Sequence, residues 1–270
     1  MMKIQTIQGK SASVLGLAGQ NPMESGCVDL AWRAGVNFFF SYGMGSDSPL
    51  LTDLCQLIKP HREGIIFASG HEGREIPHWQ TYLEQIRQTL DIETVDILFV
   101  EYVSPSDDWN QVQALLDKFY AWKSEGRIRY VGVTTHNRPI ALRLVQHSLC
   151  DILMHRYNMA HRKAEQSVFP AAVAAEIPVV SFTSTRWGQL LNGHPDWQGS
   201  PPTAADCYGF SLSQPAIQLT LTAPKTRNDL ESNLAVLENP AMLKQDIAHW
   251  QRYGDLVYGT GQDGFETNWP

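Results

Sequence analysis

The sequence predicts an α/β protein in which eight parallel strands, each followed by a helix, close into a (β/α)8 TIM barrel. Three observations predict it. Short apolar runs alternate with stretches of helical period along the chain. The runs are near-continuous in Val, Ile, Leu and Phe, the pattern of strands covered on both faces. Eight of them fit into 270 residues, an ordinary size for one such barrel, and no linker divides them. A single domain over residues 1–270 is the expectation.

Taken in order, residues 1–12 precede the first strand and suit a small hairpin over the barrel floor. The candidate strands are Val14–Leu17, Val36–Phe40, Ile65–Ala68, Val95–Tyr102, Ile128–Thr134, Ile152–Tyr157, Val179–Phe182 and Ile217–Leu221. Between them, Trp79–Leu90 places Leu83, Ile86 and Leu90 at helical spacing, and Gln111–Ser124 puts Val112, Leu115, Leu116, Phe119 and Trp122 on one stripe. Trp187–Pro202, rich in Gly, Pro and Trp, is too long for an ordinary connection and is expected to be a functional loop over one mouth. Met242–Tyr258 adds a ninth, C-terminal helix.

Composition excludes several classes of function. Hydrophobic residues at 43% and charged residues at 18% describe a folded chain with a full core. The net charge of −7 would repel a phosphate backbone, so nucleic acid is not an expected partner. No run approaches the roughly 18 apolar residues that cross a bilayer, and the first residues carry no basic-then-apolar signal, which gives the cytoplasm as the expected location. Cys27, Cys55, Cys150 and Cys207 form no C-x-x-C pair and read as reduced, mostly buried thiols.

Three segments resemble the aldo-keto reductase family: Ala34-Gly35-Val36-Asn37-Phe38-Phe39 at the second strand, Glu125-Gly126-Arg127-Ile128-Arg129-Tyr130-Val131-Gly132-Val133-Thr134 at the fifth, and the stretch from Leu221 to Asn233 at the eighth strand and its helix. They stand in the family's order on the eight-unit pattern. The resemblance implies a barrel of the aldo-keto reductase type, an extended NADP(H) across the carboxyl ends of the strands, and a small carbonyl substrate reduced with a Tyr acid supported by Asp, Lys and His.

Carried over position by position, that tetrad is degenerate. Phe40-Ser41 stands where the family has Asp. Tyr42-Gly43 matches the family's Tyr only across a shortened loop. Gly70 replaces the Lys and Glu101 the His; Glu at that position also occurs in the family's double-bond-reducing steroid enzymes, which keep the Lys. A phenol of pKa about 10 needs a nearby cation or strong hydrogen bond to give up its proton near neutrality. Tyr42 and Glu101 are the candidate acids. Tyr42 equally suits a loop aromatic covering the mouth, and Glu101 equally suits a neutralising pair with Arg156 across one barrel layer.

For the cofactor, the resemblance implies that Phe182 stacks on the nicotinamide and that Thr134 and Thr135 replace the Ser-Asn pair holding its carboxamide, with Met154 in place of the usual Gln. Thr183, Thr185 and Arg186 lie where the pyrophosphate crosses. Lys225, Thr226, Arg227 and Asn233 stand at the last helix, where two cations oppose the helix dipole unless a 2′-phosphate binds there. His71, His136, His155 and His161 share the same rim, but their spacing matches no metal motif. Three functions stay open: an NADP(H)-dependent oxidoreductase using Tyr42 or Glu101, a cofactor-binding sensor or partner subunit without turnover, and a barrel repurposed to non-redox acid-base chemistry.

Overall fold

A computed structural model describes residues 3–19, 23–45, 47–240 and 242–261. Eight strands follow one another around a closed, all-parallel barrel: β1 (Leu15–Gly19), β2 (Phe38–Tyr42), β3 (Ile66–His71), β4 (Val95–Val100), β5 (Ile128–Thr135), β6 (Ile152–Arg156), β7 (Val179–Phe182) and β8 (Ile217–Thr222). Pairing of Leu15 with Thr220 and Leu17 with Thr222 closes the ring. The helices are α1 (Cys27–Arg33), α2 (Pro49–His61), α3 (Ile76–Leu90), α4 (Trp109–Ser124), α5 (Arg138–Gln146), α6 (Val168–Ala174), α7 (Ala204–Leu212), α8 (Arg227–Leu234) and α9 (Lys244–Tyr258).

The period-two alternation of each strand sorts its side chains into two cores. Phe38, Phe40, Ile66, Ala68, Ile97, Phe99, Ile152, Met154, Val180 and Phe182 fill the barrel, while Phe39, Phe67, Leu98, Val131, Val133 and Leu153 face the helices. Gly132 is required by this packing, since a Cβ there would lie 2.4 Å from the Phe99 ring. At the amino-terminal end, Gln5 bridges Ser11 antiparallel and fully buried Ile4 joins the barrel core. Asp96 is buried at the same end between Arg62 at 2.8 Å and Arg129 at 2.7 Å, and accepts the Phe67 N–H at 3.0 Å. That network holds the floor together; the carboxyl-end rim is left for chemistry.

Seven of the eight strands end elsewhere than the sequence reading puts them: β1 and β2 run two residues further, β5 and β8 one further and β6 stops one short, while the shifts of β3 and β4 have local causes. β3 continues past Ala68 to His71 because the Ser69 hydroxyl, facing the helices, is satisfied by the Ser41 carbonyl at 2.8 Å and the Tyr82 hydroxyl at 2.6 Å. β4 stops at Val100, two residues early, because Tyr102 turns the chain away with φ of 51°. The long segment 187–202 is also less uniform than expected. Trp187 is exposed at the rim, whereas Trp197 packs against His249 and Tyr253 of α9 and covers no mouth.

Candidate functional site

Alternation along the strands brings Tyr42, Gly70, Glu101, Thr134, Arg156 and Phe182 to the carboxyl-end rim, with Lys225 just beyond β8. A cleft of about 720 Å³ runs over this rim. Tyr42 and Phe182 stand at one part of it, and Thr183, Thr185, Lys225 and Asn233 line the rest. It therefore joins residues from β2, β7 and the β8–α8 turn into one elongated surface.

Glu101 is the most perturbed acid at the rim. It is 7% exposed, and burial, then the charge of Glu72, pushes its carboxyl up to about 8. Arg74 works in the opposite direction but is weakened as a partner, because it already forms a two-pronged ion pair with Asp107, both contacts at 3.0 Å. Desolvation wins, so the side chain is a neutral carboxylic acid at neutral pH. Glu101 Oε1 has no hydrogen-bond partner among the described residues. Arg156 acts instead on His136 and His155, so the expected Glu101–Arg156 neutralisation gives way to a carboxyl balanced against Arg74.

Gly70 and Glu101 occupy one space. A Cβ at position 70 would sit 2.6 Å from both Cγ and Oε1 of Glu101 and 2.7 Å from the Phe99 carbonyl. No longer side chain leaves the barrel wall at that point without displacing the Glu101 carboxyl. Tyr42 lies edge-on to Phe40 at 4.8 Å between ring centres, and its hydroxyl is pushed above the ordinary phenol range by burial, then by Tyr102 and Glu101. No cation counters those effects. Tyr42 is therefore a poor acid, and Glu101 is the better proton donor.

The cofactor candidates divide into two groups. Phe182, Thr183, Thr185, Lys225 and Asn233 line the cleft, and the buried Thr134 hydroxyl, also without a partner among the described residues, faces into the barrel top. Thr135 does not fit a ligand role: its hydroxyl donates to the Val103 carbonyl at 2.6 Å and accepts the Asn137 N–H at 3.0 Å. Arg186, with φ of 52°, folds back so that its guanidinium holds the Val257 carbonyl of α9.

Thr226 caps α8 in a capping box with Asp229 and does not line the cleft. Arg227 leans over Gly26, where a Cβ would meet its Nη1 at 3.3 Å, and its backbone N–H donates to Glu24 at 2.9 Å. Two carboxylates thus already serve the α8 terminus, which leaves Lys225 as the cation that lines the cleft.

Sequence reasoning missed Tyr102 and placed His136 on the rim only as one of four histidines that match no metal motif. Their rings stack at 5.6 Å, and His136 lies 4.9 Å from Phe182, forming an aromatic wall beside the cleft. Only the left-handed turn at Tyr102, which leaves no sequence signal in a non-glycine residue, brings that ring over the mouth. Among the described residues no group of three or more His, Cys, Asp or Glu could hold a metal ion. No helix of the described residues is long and apolar enough to cross a membrane.

Residues 68–196 match the model of the Aldo/keto reductase family. The fold is similar to an aldo-keto reductase from Bacillus halodurans in its holo form, with a TM-score of 0.76 at 16% identity over 97% of this chain and 100% of that one. An aldo/keto reductase from Klebsiella pneumoniae, in complex with NADP and acetate, gives 0.72 at 14% identity over 94% of this chain and 95% of that one. No curated protein sequence matches the chain. The resemblance to aldo-keto reductases thus holds by sequence in the central segment and by fold around the whole barrel.

Proposed function

We propose that the chain is an NADP(H)-binding oxidoreductase of the aldo-keto reductase type, one barrel domain that reduces a small carbonyl or related compound with Glu101 as its acid. The observation that carries this reading is the cleft that runs from Tyr42 and Phe182 to Lys225, with the buried carboxyl of Glu101 acting on the Tyr42 hydroxyl at its wall. The residues present fit a dinucleotide. Phe182 offers a ring face to a flat base, the unpartnered Thr134 hydroxyl offers a hydrogen bond to its amide, and Lys225 offers a cation to a phosphate.

When bound, the dinucleotide would supply the reducing equivalent. The chain's own residues do the rest. Glu101, protonated up to about pH 8, donates its proton to the developing oxyanion of the substrate. Tyr42, Tyr102 and His136 wall the mouth and exclude water, which keeps that carboxyl neutral. Donation from an uncharged acid needs no lysine beside it, which is how this mouth operates with Gly70.

Quenching of the intrinsic tryptophan fluorescence by NADPH tests the cofactor half of the reading, and turnover of Glu101→Gln tests the acid. Binding without turnover by the unaltered chain would support the sensor reading instead. No binding of either NADPH or NADP would leave non-redox acid-base chemistry at the same rim.

A further inference from the structure

The last strand turns two hydroxyls away from the barrel interior. Thr220 and Thr222 stand two apart on β8, alternating with Leu219 and Leu221, which fill the barrel. Both threonines are buried, and both support side chains of the cofactor cleft, though in different ways. Thr220 shares a hydrogen bond of 2.7 Å with the Ser184 hydroxyl, which also accepts from Ser211 of α7 at 3.1 Å. Hydroxyls linked in this way can rotate and exchange the roles of donor and acceptor.

At Thr222 the direction is fixed. Its Oγ1 accepts from the Tyr208 hydroxyl of α7 at 2.9 Å and from Nδ2 of Asn233 of α8, also at 2.9 Å. A threonine hydroxyl accepts two hydrogen bonds, so its acceptor capacity is full. Thr222 is 1% exposed and does not itself line the cleft, whereas Tyr208 and Asn233 both do. One buried hydroxyl at the end of β8 thus holds a side chain from each of the two helices beside the cleft.

The consequence falls on Asn233. An amide nitrogen only donates and an amide oxygen only accepts. With Nδ2 committed to Thr222 and no other hydrogen bond to the amide among the described residues, Oδ1 is the end left for the cleft. We propose that Thr222 is a positioning residue: by holding Nδ2 of Asn233 it turns Oδ1 towards the bound molecule, where that oxygen reads an amino group. The inference rests on the dinucleotide reading of the cleft, in which the amino group is that of the purine base.

The test is titration of the full chain, followed by tryptophan fluorescence, with NADPH and with reduced nicotinamide hypoxanthine dinucleotide phosphate, whose base carries a carbonyl in place of the amino group. That carbonyl would oppose Oδ1, acceptor against acceptor, so the unaltered chain should bind NADPH about tenfold more tightly than the analogue. Thr222→Val keeps the shape but frees the amide to turn, and should bring the ratio below about threefold. Thr222→Ser keeps the hydroxyl and should keep the ratio. Asn233→Ala should remove the preference, and adding Thr222→Val to it should change the ratio no further. A general loosening of the fold would weaken both ligands alike and leave their ratio unmoved. A ratio unchanged in Thr222→Val, or no preference for NADPH in the unaltered chain, overturns the proposal while NADPH binding stands. Absence of NADPH binding by the unaltered chain overturns the dinucleotide reading, and this inference with it.

Discussion

Replacing Glu101 by Gln substitutes a neutral amide of the same shape for a carboxyl whose proton is retained by burial. The folded carboxyl titrates at about 8 against an ordinary value of 4.5. Below about pH 4.5 both folded and unfolded chains carry the proton, so the group costs nothing. Between about 4.5 and 8 the folded chain keeps a proton that the unfolded chain releases, and stability falls with rising pH by about 1.4 kcal/mol per unit. Integrated to pH 7 this amounts to about 3 kcal/mol, levelling above pH 8. Glutamine carries no such cost. The stability of Glu101→Gln minus that of the unaltered chain should therefore grow steadily as pH rises from about 5 to 8, because the other titrating groups cancel in the difference. Urea unfolding followed by tryptophan fluorescence across this window measures it. A difference that stays flat would mean that Glu101 is an ordinary ionised carboxylate in the folded chain, and the neutral-acid mechanism would fall with it.

Four further outcomes follow from the same geometry. Turnover with NADPH should drop about a hundredfold or more in Glu101→Gln but only a few-fold in Tyr42→Phe, as a steady-state assay with simple aldehydes would show. Lys225→Ala should weaken NADPH binding about tenfold and leave NADH nearly unchanged, with the gap shrinking as salt rises, whereas Arg227→Ala should do less because Glu24 and Asp229 already share its surroundings. Thr134→Val should leave the unliganded chain equally stable or about 1 kcal/mol more stable in urea, since it removes an unsatisfied buried hydroxyl, and should weaken NADPH binding. Gly70→Ala should cost about 1–3 kcal/mol by overpacking against Glu101 and the Phe99 carbonyl, and a smaller side chain at 101 should recover part of that loss in a double-mutant cycle.

The barrel was legible because its strands, buried on both faces, leave apolar runs that no surface element needs. Where a strand end was misread, a polar residue was satisfied locally, as at Ser69, or a non-glycine residue took a left-handed turn, as at Tyr102. The rim residues were legible for a related reason: topology alone brings the ends of parallel strands together, so Tyr42, Glu101, Phe182 and Lys225 could be placed by counting. Loop residues could not. Arg186 and Thr185 are neighbours in sequence, yet one braces α9 and the other lines the cleft, a division set by backbone angles that the residue types do not encode. Arg227 was read as a phosphate ligand because its charge was visible, while Glu24, which accepts the backbone N–H of Arg227, is 203 positions away and left no sign in the sequence.

On the proposed reading, Gly70 and Glu101, which stand where the resemblance implies a lysine and a histidine, depend on each other. With a lysine in place of Gly70, the side chain would have to pass through the space filled by the Glu101 carboxyl. Were it accommodated, its charge would draw the carboxyl's pKa down towards the ordinary range and leave an ion pair where a proton donor is needed. With histidine in place of Glu101 and Gly70 unchanged, Tyr42 would be the only acid at the mouth, raised by burial and unsupported by any cation among the charges that act on it. Glycine makes room for the carboxyl and withholds the charge that would ionise it, and burial then holds the proton. On the proposed reading, Gly70 and Glu101 are thus one rearrangement, which would exchange a phenol assisted by charge for a carboxylic acid assisted by the lack of it.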